Sequence, residues 1–169
     1  WSSDVCSSDL GMSCFNNTIY DLTTTGATGV FGIYHNAGTA TNIYKNKIYN
    51  LSATNASGTS TGIHVLAGTT VNIYNNLIAA LTTPVANAAI PLVGINVAGG
   101  TTVGLFYNTI YLNGSSTGAL FGSAAVYAST SAALTMRNNI LMNTSANVGA
   151  TGFTAAYRRT GTTLTSYGA

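Results

Sequence analysis

Thr41-Asn42-Ile43-Tyr44-Lys45-Asn46-Lys47-Ile48-Tyr49 returns thirty residues later as Val71-Asn72-Ile73-Tyr74-Asn75-Asn76-Leu77-Ile78-Ala79, and the reading of this pair decides the fold. Its second half recurs outward in both directions, as Asn17-Thr18-Ile19-Tyr20, Asn108-Thr109-Ile110-Tyr111 and Asn138-Asn139-Ile140-Leu141. The intervals from Ile19 to Ile48, Ile78, Ile110 and Ile140 are 29, 30, 32 and 30 residues. Its first half returns once more as Val103-Gly104-Leu105-Phe106. A third motif keeps step with both: Gly32-Ile33, Gly62-Ile63, Gly94-Ile95 and then Ala125-Val126. Motifs repeating in phase at one period are the mark of a solenoid.

Within each motif the apolar residues alternate, as in Val71-Asn72-Ile73, and period-two alternation means strands. The stretches between motifs are rich in Gly, Thr, Ser and Asn, the chemistry of turns. Helix-forming Glu, Lys and Gln are scarce while Thr, Ile, Val and Tyr abound, which favours strands over helices. The expected fold is therefore all-β: a parallel β-helix with about 30 residues per coil, three short strands per coil and about five coils. Stacked coils would place equivalent residues about 4.8 Å apart. Ile19, Ile48, Ile78, Ile110 and Ile140 then form one inner column. Cys14, Ile43, Ile73 and Leu105 form a second, with Thr135 a weaker member. Asn17, Asn46, Asn76, Asn108 and Asn138 are expected to form a structural ladder of stacked amides at a tight bend.

These repeats resemble the parallel β-helix repeats of the pectate-lyase-like superfamily. The particular likeness is to the Asn-Asn-Thr-Ile-Tyr style of long secreted surface proteins of Bacteroidota-type bacteria. The resemblance spans residues 12 to about 167 and implies a right-handed coil, consistent with the general hand of parallel connections, and a secreted or cell-surface location. Residues 4–10 instead resemble the translation of a sequencing-adapter oligonucleotide. Residues 1–10 are set aside on that ground, and 11–169 are read as one solenoid fragment truncated at both ends. Leu164 lies 30 residues after Leu134 and is expected to open a sixth coil.

Charge narrows the chemistry. Past residue 10 the only acid is Asp21, against the bases Lys45, Lys47, Arg137, Arg158 and Arg159. Glycoside cleavage needs two carboxyl groups about the scissile bond, and one acid cannot supply them. Nor is there a buried acid to orient a Ser-His pair, so no catalytic residues are assigned. Five scattered bases make no stripe for nucleic acid, and no apolar run approaches a membrane-spanning length. His35 stands two residues after Ile33 and His64 one after Ile63, an offset expected to put them on opposite faces and preclude a shared metal. Solvated or locally bonded histidines are expected, with no metal or cofactor.

Two outer aromatic columns remain: Phe15, Tyr44, Tyr74 and Phe106, continued by Met136, and Tyr20, Tyr49 and Tyr111. Tyr44, Tyr74, Phe106, Tyr49 and Tyr111 are the candidate contacts to a polysaccharide or cell-surface glycan. The competing reading makes the stacked rings supports between coils. Residues 79–94 carry Pro84 and Pro91 and are expected to loop out of the coil, the first place to look for a local site. The functional expectation is a non-catalytic structural segment of a larger secreted protein, adhesive or glycan-contacting. Its alternative is a catalytically silent part of a polysaccharide lyase or hydrolase.

Overall fold

The computed structural model describes residues 11–129 and 132–160. The segment 1–10 set aside above and the sixth coil expected at Leu164 lie outside the described residues. The described chain is a β-solenoid of about 5 turns with about 31 residues per turn and no helix. Each turn lays one strand in each of three parallel sheets. The first sheet holds β1 (Met12–Phe15), β4 (Ala40–Tyr44), β7 (Thr70–Tyr74), β10 (Thr102–Phe106) and β13 (Ala133–Arg137). The second holds β2 (Thr18–Thr24), β5 (Lys47–Ala53), β8 (Leu77–Thr82), β11 (Thr109–Leu112) and β14 (Ile140–Asn143). The third holds β3 (Val30–His35), β6 (Ser60–Val65), β9 (Ala88–Val97), β12 (Phe121–Ala128) and β15 (Thr154–Arg159).

The repeated apolar positions explain why the chain coils. One turn cannot bury its own inner face, and stacking turns creates a continuous interior. Ile43, Ile73 and Leu105 stack in register inside the first sheet, Ile48, Ile78 and Ile110 inside the second, and Ile63 and Ile95 inside the third. All are buried, and each contributes roughly 1.5–3 kcal/mol by leaving water.

Two of the three bends in a turn are marked by positive φ. Between the first and second sheets sits a residue with left-handed backbone: Asn16, Lys45, Asn75, Tyr107 and Asn138, with φ from 55 to 58°. The return from the third sheet to the first passes Gly38, Gly68 and Gly100, whose φ of 103–138° favours glycine.

The fifth turn departs from the expected phase by one residue. Leu141, not Ile140, pairs with Ile110; Ile140 pairs with Thr109 and is 64% exposed. Met136 pairs with the inner Leu105, so Met136 leaves the outer aromatic column and Thr135 leaves the inner one. Arg137 takes the outer place beside Phe106. The cause is the doublet Asn138-Asn139. Either asparagine fits the repeat by eye, but a one-residue slip reverses every side chain, and two leucines and a methionine outweigh one isoleucine inside. The expected loop over 79–94 is also smaller than its prolines suggested. Pro91 lies within β9, where pairing with β12 slips between Ala88 and Leu92, so the extra residues form a bulge rather than an excursion.

Candidate functional site: the side-chain files of the coil surface

The best-built polar feature is the asparagine ladder at the bend between the first two sheets. Asn17 Nδ2 donates to Asn46 Oδ1 at 2.9 Å, Asn46 Nδ2 to Asn76 Oδ1 at 3.0 Å, and Asn76 Nδ2 to Asn108 Oδ1 at 3.0 Å. Each of these acceptors also receives the backbone N–H of the preceding rung, at 3.0–3.1 Å. The second Nδ2 proton reaches a carbonyl one coil back: Asn46 to Cys14, Asn76 to Ile43, Asn108 to Ile73. A buried amide has two donors and two lone pairs to satisfy, and the interior rungs fill all four.

The fifth rung is Asn139, not Asn138. Asn139 Oδ1 accepts from the side chain and backbone of Asn108, and its Nδ2 donates to Leu105 O at 2.8 Å. Asn138 is the left-handed residue before it. The bend thus divides between two positions the roles expected of one asparagine: the first adopts the unusual φ, and the second turns inward and bonds.

The aromatic files lie outside the coil. Phe15, Tyr44 and Tyr74 stack face to face, with ring centroids 4.9 and 4.8 Å apart and planes within 4°. This is the coil spacing itself, so rings in register stack without adjustment. Phe106 occupies the same column but folds back along its strand. A Cβ on Gly104 would meet the Phe106 ring at 2.4 Å, so that ring lies in the space which Asn42 and Asn72 fill in earlier turns. In the second file Tyr20 and Tyr49 stack at 5.3 Å. Ala79 interrupts the column before Tyr111, and the Lys47 ammonium sits 5.0 Å from the centre of the Tyr49 ring.

This geometry limits what the five candidate aromatics can touch. A ring stacked between two neighbours shows solvent its edge and its hydroxyl. Tyr44 is enclosed in that way, while Tyr49 and Tyr74 have a stacked partner on one face. Tyr111 is exposed and makes no ring contact among the described residues.

A third aromatic group, on the outer face of the third sheet, was invisible as a motif. Tyr34 stacks on His64 at 4.9 Å, and Phe31 meets both edge-on at 5.2 Å. Its members are of different residue types, so no repeated letter marks them; only the 30-residue offset of Tyr34 and His64 could have found them.

The two histidines do fall on opposite faces. His64 faces outward and bonds Asn96 at 3.1 Å. His35 turns inward and is only 5% exposed, and its buried Nε2 has no hydrogen-bond partner, so at that nitrogen the expectation of a solvated or locally bonded histidine is corrected. Burial lowers the pKa of both from the ordinary 6.5. Asp21 is exposed and accepts from Asn50 in the next turn. Among the described residues no three His, Cys, Asp or Glu side chains converge as metal ligands. No helix among them is long and apolar enough to cross a membrane.

Fold and surface together define a parallel β-solenoid whose polar and aromatic side chains are arranged in files along the stacking axis. No protein-family model, curated protein or solved structure matches the chain.

Proposed function

We propose that this chain is a non-catalytic structural segment of a longer secreted or cell-surface solenoid of the right-handed, pectate-lyase-like repeat type, and that its outer face contacts glycan. The observation that carries the reading is where the surface side chains are spent. Two prominent files of side chains are committed to bonds between coils: Asn17, Asn46, Asn76, Asn108 and Asn139 to one another, and Phe15, Tyr44 and Tyr74 to a continuous stack. Asp21, the one carboxylate among the described residues, is exposed and engaged by Asn50. A surface of this kind holds a shape and presents repeated groups at a fixed interval. Among the described residues it offers no acid-base pair to a glycosidic bond.

The same geometry supports the glycan reading. Stacking leaves the hydroxyl edges of Tyr44, Tyr74 and Tyr49 for hydrogen bonding to sugar, and Tyr111 for contact by its ring. The test is co-sedimentation of the purified chain with insoluble polysaccharides, with product release assayed in parallel. Binding without turnover is the expected result, weakened by Tyr44→Phe with Tyr74→Phe, which removes the hydroxyls and keeps the stack. Turnover would favour the alternative, a segment of a lyase or hydrolase. Absence of any binding would leave the structural role and remove the glycan.

A further inference from the structure

We infer that the corner around His35 is an acid-sensitive latch, which releases the first turn of the solenoid on protonation while the later turns stay closed. His35 ends β3 in register with Val65, Val97 and Ala128, so it opens an inner corner column that is aliphatic through the next three turns and ends at Arg159 in the fifth. It is 5% exposed. Its ring sits beneath the Gly68 bend, where a Cβ would lie 2.9 Å from Nε2.

The same corner carries a second polar substitution. Thr41 stands in the inner column of Met12, Val71 and Val103, is 2% exposed, and its Oγ1 has no hydrogen-bond partner. The cavity that His35 and Thr41 share with Met12, Cys14, Ile33, Tyr34 and Ile43 measures about 20 Å³. That is room for about one water molecule, far short of a hydration shell for an imidazolium.

Among the described residues, nothing packed against His35 compensates a positive charge. β1 presents Met12 and the Cys14 thiol, β4 presents Thr41 and Ile43, β6 presents Val65, and the bends present Gly38 and Gly68. On its own strand the Tyr34 phenol points to the opposite, outer face. The only carboxylate among the described residues, Asp21, is exposed on β2 and bonded to Asn50. A buried cation whose Nε2 has no partner and room for at most one water is expelled by opening the element that buries it. That element is the first turn, since β1, β2 and β3 each pair with one neighbouring strand among the described residues.

His64 is the internal control. It also titrates, but it lies outward between Tyr34 and Asn96, where a charged ring keeps its stack and the Asn96 amide can turn its oxygen to the new proton. Hydrogen exchange of the intact chain tests the latch, with protection factors for β1–β3 compared with those for β7 and β10 at about pH 7.5 and about pH 5, either side of the ordinary histidine range. Protection in the first turn is expected to fall several-fold at the lower pH, and that in β7 and β10 to hold. His35→Val, matching Val65 and Val97, should abolish the fall; His35→Ala, matching Ala128, serves if the valine does not fold. His64→Asn should leave it intact. An unchanged first turn at low pH, an equal loss in all turns, or a loss that survives removal of His35 would overturn the inference.

Discussion

At the residue scale, adjacent asparagines do unlike work. Asn139 holds the ladder and Asn138 holds the bend. Asn139→Ala should destabilise by about 2–3 kcal/mol, leaving the Leu105 carbonyl and the Asn108 donors unpaired. Asn138→Gly should be neutral or slightly stabilising, because glycine accepts positive φ without strain. Chemical denaturation of the two variants separates the roles, and equal losses would refute the assignment. The same contrast holds further in. Asn76→Ala removes the Oδ1 that accepts from both the backbone N–H and the Nδ2 of Asn46 and should cost about 3 kcal/mol or more, whereas Asn42 lies on the outer face with one 3.3 Å bond from Asn72, and its alanine variant should lose under about 1 kcal/mol. Apolar residues divide likewise: Ile78→Ala should cost about 2–5 kcal/mol and Ile140→Ala little, since the first is wholly buried and the second exposed.

At the element scale, the strands of the third sheet bend at a repeated small residue. Pairing there skips Gly32, Gly62 and Gly94. A Cβ on Gly62 would come 2.6 Å from Ile78 Cγ2 and 2.7 Å from the Gly94 carbonyl. Gly62→Ala should therefore cost about 1–3 kcal/mol by forcing strand and core apart, read as a lowered denaturation midpoint with an unchanged strand signal in circular dichroism. The elements were legible in the sequence wherever one residue type recurred alone. Ile43, Ile48, Ile73 and Ile78 mark inner columns because branched aliphatics both prefer strands and fill the lumen. Legibility failed where two neighbours were chemically equivalent, as at Asn138-Asn139, since only the direction of the side chain tells them apart. It failed again at Pro91, because a bulge and a loop have the same composition. Phe106 was placed in its column correctly, but its rotamer answers to the missing side chain of Gly104, a contact between residues that the repeat treats separately.

For the whole molecule, protonation links the histidines to stability. Burial lowers the pKa of His35 and His64 below the ordinary 6.5. The unfolded chain therefore takes up protons first as pH falls. Stability from these groups is complete above about 6.5 and declines as the pH drops through that value toward the lowered folded pKa. Thermal unfolding followed from neutral to mildly acidic pH should show a falling midpoint, flattened by His35→Val. The opposite faces of His35 and His64 were readable from their offsets to Ile33 and Ile63, whereas the burial of His35 was not: a histidine at the end of a strand looks like any polar residue near a turn until its packing is known.

The pairing order within each sheet has a mechanical consequence. Every backbone bond between turns points along the stacking axis, and each strand pairs only with those directly above and below. A load applied along that axis meets one turn's bonds at a time, in tension, while a load across it meets the bonds of many turns together, in shear. Drawn from its two ends, the chain would come apart as a sequence of separate ruptures. Each would release about 31 residues, a gain in length of roughly 100 Å per event once extended. The solenoid would act as a yielding tether, absorbing work turn by turn while the rest of its surface stays in register.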